Sequence, residues 1–391
     1  MYFAKTEGFN PAAPSSASAD HLARISGEIA QARLPGCQLR FELPPAIGTL
    51  LYNAYTTGIL RFHPAVLNAN IQLYSRFTDE QEFRAANGLR LELHPQTRAD
   101  YYADVGALQI RSVYEAPTCT LSSADTLDRL VGCLNAGEYV YLHVDLFYIP
   151  ETRVHGRFHW RHELLVVGIT ENGHFLCPTY DRRGEFIAIE VPAQNLVAAF
   201  CSPFAVAESF PYCRSYRIAA FKLVSETRHE VNPALMAGYM EDNLNGTNTA
   251  ARRVVAPGVK PWLENPLIYR TGVFGIGFYT RLADFYEHWI VANKLPFDVR
   301  ISRLILERTR LMAHRVSALE RAGFVTDASA GQEWTKLGDV VWRWHMQMVT
   351  AAKARAVFDA RLFRNAIGLL GDEDRRLSET LLSQLSGVAA H

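Results

Sequence analysis

The 391-residue chain is 49% hydrophobic and 20% charged, the composition of a soluble globular protein long enough for two cores. Its 40 Lys and Arg balance 40 Asp and Glu, which argues against nucleic-acid binding by bulk charge, and its six cysteines include no Cys-x-x-Cys pair, which argues against a disulfide framework and the usual structural zinc site. The start of the chain lacks a basic segment leading into an apolar core, and no apolar run reaches the roughly 20 residues that cross a bilayer, so the expectation is a cytoplasmic protein with no membrane partner.

Residues 9–19, rich in Pro, Ser and Ala, read as an extended leader. Asp20 can cap a helix to about Gln31, with Leu22, Ile25, Ile29 and Ala30 on one face. Gly36 and the pair Pro44-Pro45 bracket a short strand from Gln38 to Leu43, and the apolar stretch from Ala46 to Phe62 reads as a buried helix. Ser122 or Ser123 starts a further helix that Asn135-Ala136-Gly137 ends. Apolar runs rich in Val, Leu, Ile and Tyr follow: Glu138 to Ile149, then a strand opening at His162, then its hairpin partner from Phe175, and Phe186 to Val191. A short helix from Ala193 to Phe200 and a strand from Tyr216 to Val224 complete this α+β part.

Beyond Pro233 the pattern is helical apart from a Pro/Gly-rich connection at 256–261. Ile301, Leu304, Ile305, Met312, Val316 and Leu319 recur near the helical period in a helix that Gly323 stops. Lys336 to Arg361 and Asp374 to Leu385 read as two more helices. The run from Gly272 to Gly277 has the wrong order for a dinucleotide fingerprint and reads as a close packing site. The division is a leader with one helix at 1–35, an α+β domain at 36–228 and a helical domain at 229–391.

The chemistry-bearing residues lie on the hairpin. His162 opens one strand and Asp181 lies just beyond the next, at the same end, which suits a general base and the carboxylate that orients it. Acyl chemistry of the cysteine type also needs an upstream thiolate. Three routes stay open. Thr49, at the start of the buried helix, can act as an oxygen nucleophile under strong activation. Cys37 can reach in from the preceding loop. Otherwise His162 serves direct attack by an acceptor amine, with no covalent intermediate. Tyr52 and Asn53 would line the oxyanion side, where a helix start offers free amides, and Tyr180 adjoins Asp181 as a substrate contact. His155, His159 and His162, with His143 and Asp145, have metal-ligand spacing only on a helix, which Gly156 opposes, so no metal is expected.

The run Val144-Asp-Leu-Phe-Tyr-Ile-Pro150, followed by His162-Glu-Leu-Leu-Val-Val-Gly168 and the Asp181 turn, resembles the butirosin biosynthesis protein H family. Leu306-Glu-Arg-Thr-Arg-Leu-Met312 through Leu319 is similar to the helical half of such proteins, including petrobactin-type siderophore acyltransferases. The resemblance implies an α+β, papain-like (C39-peptidase-like) N-terminal domain followed by an all-helical C-terminal domain. It further implies acyl or aminoacyl transfer from a carrier-protein thioester to a small amine acceptor in specialised-metabolite biosynthesis. The partner would be an acyl or peptidyl carrier protein, which brings its own 4'-phosphopantetheine, and no other cofactor is implied. Arg157 and Arg161 can then meet that phosphate or an acidic carrier surface. The family has a cysteine at the start of its first core helix, where this chain has Thr49 to Leu51. The alternatives are a non-catalytic binding or scaffold protein of the same fold, and a peptidase or amide hydrolase.

Overall fold

The computed structural model describes residues 16–30, 34–46, 48, 51–61, 63–67, 73–75, 91–93, 108–114, 121–206, 218–223, 230–247, 273–292, 298–327, 329–354, 356 and 358–388. Thr49, leader residues 9–15 and the connection at 256–261 lie outside the described residues. The described elements begin with α1 (Ser16–Ile29), β1 (Cys37–Gln38), α2 (Leu51–Leu60), α3 (Pro64–Leu67), β2 (Leu73–Ser75), β3 (Leu91–Leu93) and β4 (Leu108–Tyr114). Next come α4 (Ser123–Asn135), β5 (Glu138–Asp145), a 3-10 turn at Leu146–Tyr148, β6 (Arg161–Val166), β7 (Gly168–Ile169), β8 (His174–Tyr180) and β9 (Phe186–Pro192). They continue with α5 (Ala193–Cys201), α6 (Pro203–Val206), β10 (Ile218–Leu223), α7 (Pro233–Asn245) and β11 (Val273–Phe274). The last are α8 (Gly277–Phe285), α9 (Val299–Arg321), α10 (Ala330–Lys353) and α11 (Ala360–Val388).

The fold mixes sheet, mostly in the N-terminal part, with long C-terminal helices. It forms two compact units, one of residues 8–61 and 106–227, the other of residues 1–7, 62–105 and 228–391. The helical unit thus takes in 62–105, a stretch that the sequence division leaves with the α+β domain.

Among the described residues the first unit holds two four-stranded antiparallel sheets, in the orders β4-β10-β5-β6 and β1-β7-β8-β9. Alternation along β5 sends Val140, Leu142 and Val144 into the main core, where they meet Ile25 of α1, Leu130 of α4 and Leu196 of α5. The other β5 side chains, Tyr139, Tyr141, His143 and Asp145, are buried as well. Helix α2 packs against that side: Tyr55 meets Tyr141 edge to face with ring centroids 6.1 Å apart and donates from its hydroxyl to the Glu163 carbonyl at 3.3 Å. Burial on both faces is why the strand reads as a continuous apolar run rather than a strict alternation.

Several element limits differ from those read in the sequence. Helix α1 begins at Ser16, one turn before Asp20, because alanines favour the helix there and Ser18 has a buried partner. Strand β1 stops at Gln38, with only the Leu39 amide continuing the pairing, to the Val167 carbonyl at 2.8 Å. The chain then leaves the sheet to cover α2, where the Phe41 ring occupies the space over Gly58; a Cβ at Gly58 would fall 2.2 Å from that ring. Helix α4 agrees closely, since Ser122 caps it by accepting from the Asp125 amide at 3.1 Å.

In the helical unit α9 and α10 pack along each other and α11 packs on α7, α8 and α10. A buried ion pair fixes this arrangement: Arg308 of α9 donates to Asp374 of α11, which also accepts from the Tyr279 hydroxyl of α8 at 2.7 Å. Within the Gly272–Gly277 run, Val273–Phe274 form β11 and the chain leads into α8 at Gly277. Gly275, at φ 60, lies so close to the end of α7 that a Cβ would fall 2.0 Å from the Asn243 carbonyl oxygen. Trp344 and His345 are buried in this unit while Trp342 is exposed. Among the described residues no helix is long and apolar enough to cross a membrane.

Candidate functional site

Strand β5 ends on Asp145, whose carboxylate begins the following 3-10 turn by accepting from the Phe147 amide at 3.1 Å. The chain returns fourteen residues later at His159, just before β6. The same Asp145 Oδ1 accepts from the Trp160 amide at 3.0 Å. Its Oδ2 accepts from His159 Nδ1 at 2.6 Å and from the Ser202 hydroxyl at 2.8 Å. Asp145 is 0% exposed, so a charge placed there needs these partners.

A carboxylate has no proton to give, so the His159–Asp145 contact puts a ring proton on Nδ1. In the neutral ring Nε2 is then an acceptor, and the Ser18 hydroxyl of α1 donates to it at 3.0 Å. Hydroxyl, imidazole and carboxylate therefore stand in line, the arrangement in which a serine oxygen can pass its proton to a base held in one tautomer. Ser18 and His159 are 6% and 5% exposed. Phe147 and Phe204 stack on the two faces of the imidazole, with centroids 4.3 and 4.1 Å from it. Tyr148, also buried, has its phenol raised by burial, while the Ser18 hydroxyl beside it pulls the other way.

The residues singled out in the sequence are not brought together in this way. His162 is the second residue of β6, opposite Val144, with its side chain 29% exposed and its ring edge-on to Trp160. Its Nδ1 accepts from the Glu163 amide at 2.8 Å, so the neutral ring carries its proton on Nε2 and presents a donor. Asp181 does not orient it. Its Oδ1 accepts from the Arg183 and Glu185 amides, both at 2.8 Å, and closes the β8–β9 turn. The hairpin ladder pairs Gly168–Ile169 with Leu176 and Phe175, and the Val167 and Thr170 amides donate to the Leu176 and His174 carbonyls on either side; beyond it β6 pairs with β5 and β8 with β9.

Cys37 pairs with Ile169 of β7, in the other sheet from the β6 strand that carries His162. Tyr52 and Asn53 lie in the first turn of α2, with side chains outside the described set. Tyr180 ends β8 and meets Phe186 edge to face. Arg157 is exposed in the turn before β6, but Arg161 is a buried strand residue opposite Asp145 rather than a surface arginine. Among the described residues no group of three or more His, Cys, Asp or Glu side chains is placed to hold a metal ion. The buried thiols are poor nucleophiles: burial, with Glu138 nearby, pushes Cys133 up to about 11, and burial alone pushes Cys177 higher still.

In the sequence His159 and Asp145 stand only among spaced metal-ligand candidates, and Ser18 falls in the leader. The signal available for the first two was an aspartate ending a buried strand with a histidine before the next. For Ser18, 141 residues from His159, no local spacing exists to read. No family model matches the chain, and no curated protein matches it either.

Proposed function

We propose that the chain transfers acyl groups from an ester or thioester donor, with Ser18 as nucleophile, His159 as base and Asp145 as the residue that orients it. The observation that carries this reading is the unbroken contact series from Ser18 Oγ to His159 Nε2 and from His159 Nδ1 to Asp145 Oδ2, at 3.0 and 2.6 Å. In the first step Ser18 Oγ attacks the acyl carbon while its proton passes to His159 Nε2. The carbon–sulfur or carbon–oxygen bond of the donor breaks, and the imidazolium returns the proton to the leaving thiol or alcohol. In the second step an amine attacks the acyl-serine and gives its proton to Nε2. The amide leaves, and Ser18 regains its proton. Asp145 remains a carboxylate throughout and offsets the charge on the imidazolium.

Ser18 falls in the first turn of α1, and the amides of a first turn lack intrahelical acceptors and carry the positive end of the helix dipole. Charge developing on a carbonyl oxygen bound there is favoured for that reason. The papain-like architecture, the carrier-protein thioester as donor and the small amine as acceptor belong to the same proposal. The packing of α2 on the sheet face that carries Tyr141 supports the architecture, and the donor and acceptor rest on the resemblance of the strand motifs around Asp145 and His162.

The test is turnover of an acyl-phosphopantetheine thioester, with and without a primary amine, by the wild type and three variants. Ser18→Ala and His159→Ala are expected to lose at least about a hundredfold. Loss in His162→Ala with full activity in Ser18→Ala would return the chemistry to direct amine attack at the start of β6. Absence of turnover in the folded wild type leaves the binding or scaffold reading.

A further inference from the structure

We infer that Phe204 sets the size of the acyl group that this site accepts, and that the substrate class is a short apolar or flat acyl group; the inference rests on the Ser18 reading above. Phe204 combines two properties that rarely meet in one side chain. It is 41% exposed, yet its ring lies 4.1 Å from the His159 ring at an interplanar angle of 13°. It is therefore the solvent-facing cover of a buried imidazole. Phe147 backs the opposite face at 4.3 Å and 26°.

The cover is mounted on α6, a single turn of four residues, Pro203–Val206. The residue before it, Ser202, anchors that turn to the relay by donating to Asp145 Oδ2 at 2.8 Å, and the Ser202 oxygen also lies 3.3 Å from the Phe204 amide that donates to it. The backbone under Phe204 is thus fixed to the carboxylate that orients His159, while the ring itself faces water. Rotation about the Phe204 side-chain bonds uncovers the imidazole without breaking either bond. The space vacated is that of one benzyl group over the solvent-facing side of the imidazole, whose flat face favours apolar and flat groups over charged ones.

Relative kcat/KM for p-nitrophenyl acetate and p-nitrophenyl octanoate tests this in the wild type, Phe204→Ala and Phe204→Leu, with Ser18→Ala as the blank. The wild type is expected to favour acetate by at least about tenfold, and Phe204→Ala to shrink that ratio by about tenfold or more, with Phe204→Leu between them. An unchanged ratio in Phe204→Ala, with Ser18-dependent turnover present, overturns the inference and leaves the Ser18 reading intact. Carbethoxylation of His159 by diethyl pyrocarbonate, mapped by peptide mass, reads the cover independently of turnover. Its rate is expected to rise about tenfold in Phe204→Ala, and an equal rate removes Phe204 as the cover. Absence of Ser18-dependent turnover in the wild type overturns the Ser18 reading and the acyl-size inference with it.

Discussion

His159 Nδ1 lies 2.6 Å from Asp145 Oδ2, and the carboxylate that holds it accepts three further bonds, from Phe147, Trp160 and Ser202. The pair therefore connects the end of β5, the segment before β6 and the start of α6. Ser18 adds α1 to the same network. A structural role and the proposed chemical one meet in Asp145, and substitutions can separate them.

Asp145→Asn keeps the size of the side chain and replaces one acceptor oxygen by an amide NH2, which can no longer accept from the backbone amides or from the ring N–H of His159. It is expected to lower the unfolding free energy by about 2–4 kcal/mol, the usual range for leaving buried polar groups unpaired. Urea unfolding of the variant against the wild type measures it. A change below about 0.5 kcal/mol would mean that the carboxylate is not held as described.

Ser18→Ala removes one hydroxyl, with its bond to His159 and its contact to the Tyr148 phenol. Its cost to stability is expected to stay near 1 kcal/mol, while acyl turnover falls to background. Thermal unfolding and turnover measured on the same preparations check the pair of expectations together.

Asp181 closes a turn, with Oδ1 accepting from Arg183 and Glu185. Asp181→Ala is expected to destabilise the fold by about 1 kcal/mol through the lost turn bonds and to leave acyl turnover within about twofold of the wild type. A large fall in turnover at unchanged stability would instead assign Asp181 to the chemistry, as the hairpin pattern in the sequence suggests.

In the helical unit the Arg308–Asp374 pair is 1% exposed on both sides and shares Asp374 with the Tyr279 hydroxyl. Asp374→Ala leaves the Arg308 charge buried without its carboxylate, so a loss of about 3–5 kcal/mol is expected in chemical unfolding. Exchanging both residues together for apolar ones of similar volume is expected to cost much less.

His345 supplies a pH dependence. Burial first, then Arg303 and Arg310, lowers it from 6.5 to about 4, and its Nδ1 lies 2.8 Å from the Ser302 hydroxyl. The folded state therefore binds fewer protons than the unfolded state between those values, and stability falls as pH drops from about 6.5 towards 4. The loss is roughly 3 kcal/mol over that window at full effect. His345→Gln is expected to flatten that part of the stability-against-pH curve, and an unchanged slope would place the titration elsewhere.

Local signals in the chain account for much of the fold. The Ser122 cap of α4, the β8–β9 hairpin and the stop of α9 at Gly323, with φ 78, each depend on residues close in sequence. A capping aspartate was less visible: Asp359 accepts from the Leu362 amide at 2.8 Å and starts α11 there, whereas the periodic pattern runs from Lys336 through to Arg361. The site was legible only in part. His162 and Asp181 stand out in the sequence because polar residues at strand ends draw the eye, yet the strands carrying them diverge into two sheets. Ser18 reaches His159 only because α1 packs on α5 and α4 beside β5, a long-range result that no spacing encodes.

The most direct measurement is peptide mapping of the chain after incubation with an acyl thioester, quenched before turnover completes. Acylation of Ser18, abolished in His159→Ala and in Ser18→Ala, is the expected result. An acyl group found on another residue, or an unmodified Ser18 peptide in a chain that still turns over the thioester, would contradict the assignment of Ser18 as the nucleophile.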